Sequence, residues 1–172
     1  MSQLTINIIT VFLALTATTF SLAAQLPPVV SEGIVDAPPA EVWRAWTTAE
    51  GMRSWLAPKA DIDLRIDGLM RANYNPKGEL GDDSTIENRI LAFDPERMFA
   101  IRVAKAPKSF PFPNAVQNMW TVVYFSPDGA GKTFVRAIGH GFTDDPESAR
   151  MRDFFQKGND YTLAELFKRF KQ

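Results

Sequence analysis

The chain contains no cysteine and a single histidine, His140, among its 172 residues. The first absence excludes disulfides, thiol catalysis, thiolate metal sites and a lipid anchor on a lipobox cysteine. The second leaves one imidazole for proton transfer near neutral pH. Neither sign of charge is in surplus: 19 Lys plus Arg face 20 Asp plus Glu, so no overall basic field suits nucleic acid. Repeats, low-complexity tracts and a second linker are also missing after Pro28, so one domain is expected over residues 29–172.

Charge is absent altogether from residues 1–24, where an apolar run over 6–17 is broken only by Asn7, Thr10 and Thr16. It leads into Ser21-Leu22-Ala23-Ala24-Gln25, a small-x-small pattern of the kind signal peptidase accepts. We expect a secretory leader over residues 1–24, cut after Ala23 or Ala24, and hence a periplasmic or secreted protein. An uncleaved anchor is the rival reading. Four threonines between Thr10 and Thr19 make the segment a poor span, so no stable membrane span is expected once the leader is removed.

What is present reads as strands followed by a long helix. Residues 29–35 have strand composition, and Asp36 stands as an acidic cap before Ala37-Pro38-Pro39-Ala40. A helix carrying Val42, Trp43, Ala45 and Trp46 follows. Thr47-Thr48-Ala49-Glu50 forms a capping box that starts a second short helix with Met52, Trp55 and Leu56. Residues 61–67 alternate, with Ile62, Leu64 and Ile66 on one face. Further strands are expected over 69–74, 84–93, 98–103, 118–125 and 133–142, with turns at Asp94-Pro95-Glu96-Arg97 and at 126–132. Between two of them, residues 105–114 hold three prolines and two phenylalanines with no regular period, and suggest a lid.

Asp145 and Pro146 open the last helix. Met151, Phe154, Phe155, Gly158 and Thr162 share one stripe, while Leu163, Leu166, Phe167 and Phe170 lie about a quarter turn away. The helix therefore either bends near Gly158-Asn159 or packs its halves on different surfaces. Gly158 lies on the inward stripe, where it weakens the helix and leaves a gap.

Two motifs invite sharper readings. Gly129-Ala130-Gly131-Lys132-Thr133 looks like the end of a phosphate-binding loop, but Ser126 stands where that loop needs glycine and a strand follows. It reads as a hairpin turn. Asp61, Asp63 and Asp67 share a polar strand face with Arg65, which fits solvated cross-strand pairing better than a metal cage. No metal and no cofactor is expected.

Residues 34–55, from Ile34-Val35-Asp36-Ala37-Pro38-Pro39 through Gly51-Met52-Arg53-Ser54-Trp55, resemble the opening signature of heat-shock-protein ATPase activator-like domains. Those belong to the START-like (SRPBCC) superfamily. Residues 60–68 match the family's next strand, with Asp67-Gly68 where a Gly-Gly pair is usual. Phe93-Asp94-Pro95-Glu96-Arg97-Met98 and Ile138-Gly139-His140-Gly141-Phe142 match two later landmarks. The resemblance spans residues 29–172. It implies an α+β helix-grip (START/Bet v-like) fold, a curved antiparallel sheet around the C-terminal helix with an apolar cavity between them.

Candidate ligand-binding residues follow from that cavity. Trp46, Trp55, Trp120 and Tyr124 supply aromatic surface, though each also suits a packed core or sheet face. On the helix, Met151, Phe155 and Gly158 face inward. Arg136 and His140 share strand parity and would be polar handles if their face turns toward the cavity; Val135 and Ala137 equally suit the inner face. His140 has no obvious catalytic partner, so binding or bracing is expected of it and no catalytic residue is assigned. Three functions remain: an exported, non-enzymatic binder of a small hydrophobic or amphipathic molecule; a co-chaperone-like protein-interaction module with an unknown partner; and a cyclase- or hydrolase-type enzyme using the same cavity.

Overall fold

The computed structural model describes residues 23–129 and 131–171; the expected leader lies outside them except for Ala23 and Ala24. The first strand, β1 (Val29–Val35), leads through α1 (Pro39–Thr47) and α2 (Ala49–Arg53) into β2 (Lys59–Ile62). Then come β3 (Leu69–Asn73), β4 (Ile86–Asp94) and β5 (Met98–Lys105). A 3-10 turn (Ala115–Asn118) precedes β6 (Trp120–Pro127) and β7 (Thr133–His140), and α3 (Pro146–Phe170) ends the described chain. The strands form one seven-stranded antiparallel sheet in the order β1-β7-β6-β5-β4-β3-β2. The sheet curls into a half-barrel around α3, the helix-grip α+β architecture.

Local chemistry sets the helix starts. The Asp145 carboxylate accepts from the Glu147 and Ser148 amides, and Pro146 occupies a first-turn position that needs no donor. For α2 the cap is Thr48, whose hydroxyl oxygen accepts from Gly51 N at 3.0 Å. Thr47, first residue of the expected box, instead donates to Trp43 O. Asp36 does not cap α1: Pro38 takes that position without a side-chain bond, and Asp36, just after β1, pairs at 2.7 Å with Lys132 of the 126–132 hairpin.

The strand expected over residues 61–67 stops at Ile62. Asp63 through Gly68 form a turn in which Asp67 has φ +63° and Ile66 faces solvent. Its alternating pattern was misleading because the turn closes on backbone bonds, Arg65 N to Asp63 O and Gly68 N to Arg65 O. After β7, Gly141 sits at φ +89° against the Asn118 carbonyl, where a Cβ would lie 2.0 Å from that oxygen. Glycine is therefore required on one side of His140.

The two faces of α3 meet two apolar clusters. Met151 and Phe155 pack with Val29, Val116, Met119 and Phe142. Leu163, Leu166, Phe167 and Phe170 pack with the larger core around Val42, Trp43, Trp46, Met52 and Phe99. The helix runs as one 25-residue element, so the quarter-turn offset reflects two packing surfaces. Each fully buried Phe, Met or Leu contributes about 1.5–3 kcal/mol. Gly33 of β1 lets the helix approach closely: a Cβ there would meet Phe167 Cζ at 2.4 Å.

Candidate functional site: an apolar cavity between sheet and helix

Because α3 lies over β1, the remaining curve of the sheet leaves a cavity of ≈ 480 Å³ on the helix's other side. Met70 and Ala72 of β3, Ile101 and Val103 of β5, Thr121 and Val123 of β6, and Ala137 of β7 line its sheet side. From the helix come Phe154, Phe155, Gly158, Asn159, Tyr161, Thr162 and Leu163. Trp46, Trp55 and Leu56 close it from the main core, and Pro107, Phe110, Val116 and Met119 from the smaller cluster. The volume falls within the range of about 300–1,000 Å³ usual for small-molecule sites.

Gly158 is exposed at the rim of this space, not on a buried inward face as the stripe implied. A Cβ built on it meets nothing within 4 Å, although α3 is helical throughout. The loop over residues 107–113 sits beside it. Phe110 packs edge-on to Phe112 and Phe154, with centroids at 5.6 and 5.8 Å, and tilts against Phe155 at 6.1 Å.

Two N–H groups in the lining are buried without a protein partner, Trp46 Nε1 and Asn159 Nδ2. Trp46 is 6% exposed and sits among aromatic rings, edge-on to Trp55 at 4.7 Å and tilted against Phe99 at 5.5 Å. Trp55 differs, since its Nε1 donates to Ala45 O at 2.9 Å. An unpaired buried donor costs about 1–3 kcal/mol, and both atoms are closed off from the cavity as well as from solvent. Charge is scarce there: Glu165 is the one charged side chain in the lining, and Lys168 Nζ holds it at 2.5 Å. Desolvation raises the Tyr74 phenol above its ordinary value, although half of the residue's surface is exposed. Among the described residues no group of three His, Cys, Asp or Glu side chains is placed to hold a metal ion.

Trp46, Trp55, Phe155 and Gly158 thus come together at the cavity. Met151 does not reach it and is fully buried in the smaller cluster. Strand parity left either face of β7 open, and Val135 and Ala137 are its inward, buried residues, so Arg136 and His140 are not polar handles of this cavity. Arg136 lies on the outer face, where it faces Glu32 of β1 in register and pairs with it at 3.1 Å. Water on that face meets the charge at less cost than an apolar interior would. Tyr124 is opposite Arg136 and is likewise exposed.

His140 stacks on Trp120 across the β6–β7 ladder, with centroids 4.3 Å apart and planes at 15°. Both border a second groove of ≈ 560 Å³ with Gln25, Leu26, Pro28, Asn118 and Thr143. Its lining is mainly polar. Trp120 also touches the edge of the first cavity. Asn159, Asn88 and Thr121 also line it and were not singled out from sequence, whereas Phe110 belongs to the loop expected to form a lid. Of the first three, only Asn159 had left a signal, as the polar neighbour of Gly158 on the helix stripe expected to face inward.

The curled sheet, the gripping helix and the cavity between them define a helix-grip domain. More narrowly, the chain belongs to the family of Activator of Hsp90 ATPase homolog 1-like proteins, whose model matches residues 36–171. Among solved structures it is similar to protein MLL2253 from Mesorhizobium loti, at 21% identity and TM-score 0.64, covering 83% of this chain and 95% of that one. The Aha1 dimer from Colwellia psychrerythraea aligns at 14% identity and TM-score 0.64, covering 84% and 96%. CalU16 from Micromonospora echinospora aligns at 18% and 0.58, covering 84% and 79%. At these identities the likeness concerns the fold. No curated protein matches the chain.

Proposed function

We propose that this chain is an exported, non-enzymatic binding domain that holds a small hydrophobic or amphipathic molecule between its sheet and α3. The observation that carries the reading is the cavity of ≈ 480 Å³ itself, lined mainly by apolar side chains, with exposed Gly158 leaving its rim open. Burial of an apolar guest would drive affinity at roughly 25 cal/mol per Å² before the entropic cost of association. The polar groups present suit orientation better than acid–base exchange, because Glu165 is already engaged by Lys168 and Thr162 Oγ1 donates to Gly158 O.

Export rests on the uncharged first 24 residues and the small-x-small end of that segment. One contact agrees with a cut after Ala23: Ala24 N lies 2.8 Å from Asp144 Oδ1, so the freed α-ammonium would pair with a carboxylate. Among the described residues no helix is long and apolar enough to cross a membrane. A second reading, a protein-interaction module, is favoured by the outer sheet face, where Ile34, Trp120 and Tyr124 are exposed. Titration with the neutral dye N-phenyl-1-naphthylamine separates the two. A saturable, blue-shifted signal is expected for a cavity binder, and a linear, non-saturating response would refute it.

A further inference from the structure

The outer face of the sheet settles its arginines in two ways. Arg136 stands opposite Glu32 and Arg71 opposite Asp61, and each pairs with the carboxylate it faces. Arg89 of β4 instead stands opposite Arg102 of β5. Like charges placed directly across a ladder repel each other. Among the described residues neither guanidinium makes an ion pair: Arg89 donates to the Asp67 carbonyl at 2.9 Å, and Arg102 is exposed. Glu87, two residues before Arg89 on the same face, stands between Arg71 and Lys105.

The same row continues in register from Arg102 to Trp120 and from Trp120 to His140. It crosses four strands, about 14 Å at the usual strand spacing. Trp120 is 38% exposed, and among the described residues His140 is the one ring stacked on it, so no second ring takes its other face. At the His140 end lies the groove of ≈ 560 Å³, where Gln25, Asn118 and Thr143 offer neutral amides and a hydroxyl and no Asp, Glu, Lys or Arg intrudes. Neutral amides suit a ligand dense in hydroxyl groups. A flat indole suits the C–H face of a sugar ring, and paired guanidinium forks suit a carboxylate.

We propose that this row is a second binding site, on the opposite side of the sheet from the cavity, for an acidic oligosaccharide. One sugar ring stacks on Trp120, its hydroxyl groups bond to Asn118, Gln25 and Thr143, and the carboxylate of a neighbouring uronic acid is held by Arg102 and Arg89. An acidic peptide would also meet the guanidinium pair. An extended peptide, however, adds along a sheet edge, and this row crosses inner strands whose backbone groups are already paired on both sides.

The test compares trigalacturonate, its fully methyl-esterified form and a triglutamate peptide by calorimetry, while the Trp120 indole resonance, assigned by its loss in Trp120→Phe, is followed by ¹⁵N-correlated NMR. Trigalacturonate should bind at least about tenfold more tightly than its ester and move the Trp120 resonance. Arg102→Ala should remove most of that advantage without loss of stability, because it also relieves a like-charge pair, and Arg136→Ala should leave it intact. Raising salt from about 50 to about 500 mM should weaken the acid and spare the ester. Should Trp120→Phe not fold, the acid–ester comparison and Arg102→Ala still decide. Equal binding of acid and ester, tighter binding of triglutamate, an unmoved Trp120 resonance or no binding of trigalacturonate overturns the proposal, and none of these results touches the cavity, which the dye reports separately.

Discussion

Gly158 is the position where one substitution should strengthen the fold and another should remove the function. In Gly158→Ala the added methyl group meets no atom within 4 Å, so no steric penalty offsets the gain in helix propensity. Glycine costs about 0.8–1.0 kcal/mol relative to alanine inside a helix, and that amount should appear as added stability. For a domain of this size the melting temperature should rise by about 2–4 °C. Gly158→Leu should also fold, since its isobutyl group enters free space rather than packed atoms. It would then occupy volume a guest needs and weaken N-phenyl-1-naphthylamine binding at least tenfold, by about 1.4 kcal/mol. Thermal unfolding followed by circular dichroism, paired with dye titration, reads both effects. A destabilised Gly158→Ala would mean the helix face is already packed. A folded Gly158→Leu with undiminished dye affinity would place binding somewhere other than this cavity.

Other sites give independent checks. Gly33→Ala pushes a methyl group into Phe167 Cζ and should cost about 1–3 kcal/mol in chemical denaturation. Adding Phe167→Leu should recover part of that loss, and simple additivity would argue against close helix–strand contact. Glu147 and Asp82 have their pKa values lowered, Glu147 mainly by the Ala115 amide and the Asn114 side chain, Asp82 mainly by the Glu79 and Ser84 amides. Folding favours their charged forms, so their contribution is complete above the ordinary carboxylate range and is lost as pH falls through the lowered folded values. Glu147→Gln or Asp82→Asn should therefore flatten the acid limb of a stability–pH curve, and an unchanged limb would contradict the assignment. On the outer face, Arg136→Ala and His140→Ala should leave dye affinity within about twofold of wild type. A larger loss would return those residues to the binding surface.

The sequence carried the architecture in its element order and in a few position-specific signals. Asp145-Pro146 marked the start of α3, the offset stripes narrowed it to a bend or two packing surfaces, of which the second holds, and the 126–132 glycines marked a hairpin. Gly158 marked the edge of free space, but the stripe misplaced it: the residue is exposed at the cavity rim. Which face of β7 turns inward was not readable. Alternation fixes that odd and even residues oppose each other, but not which set meets the helix. The cross-strand pairing of Arg136 with Glu32 and the burial of Val135 settle it in three dimensions. Asn159 shows the same limit. Its cost comes from lacking a partner, a property of the packed surroundings and not of residue type. The 61–67 segment failed for a local reason, since alternation over a few residues does not distinguish a strand from a turn with polar ends.

Whether the interior is occupied by a guest is measured most directly by native mass spectrometry of the protein recovered from the compartment in which it accumulates. The expected spectrum shows the polypeptide carrying one small adduct that collisional activation releases and that Gly158→Leu fails to retain. A bare polypeptide mass, from protein that also gives no saturable dye signal, would contradict a guest-holding interior.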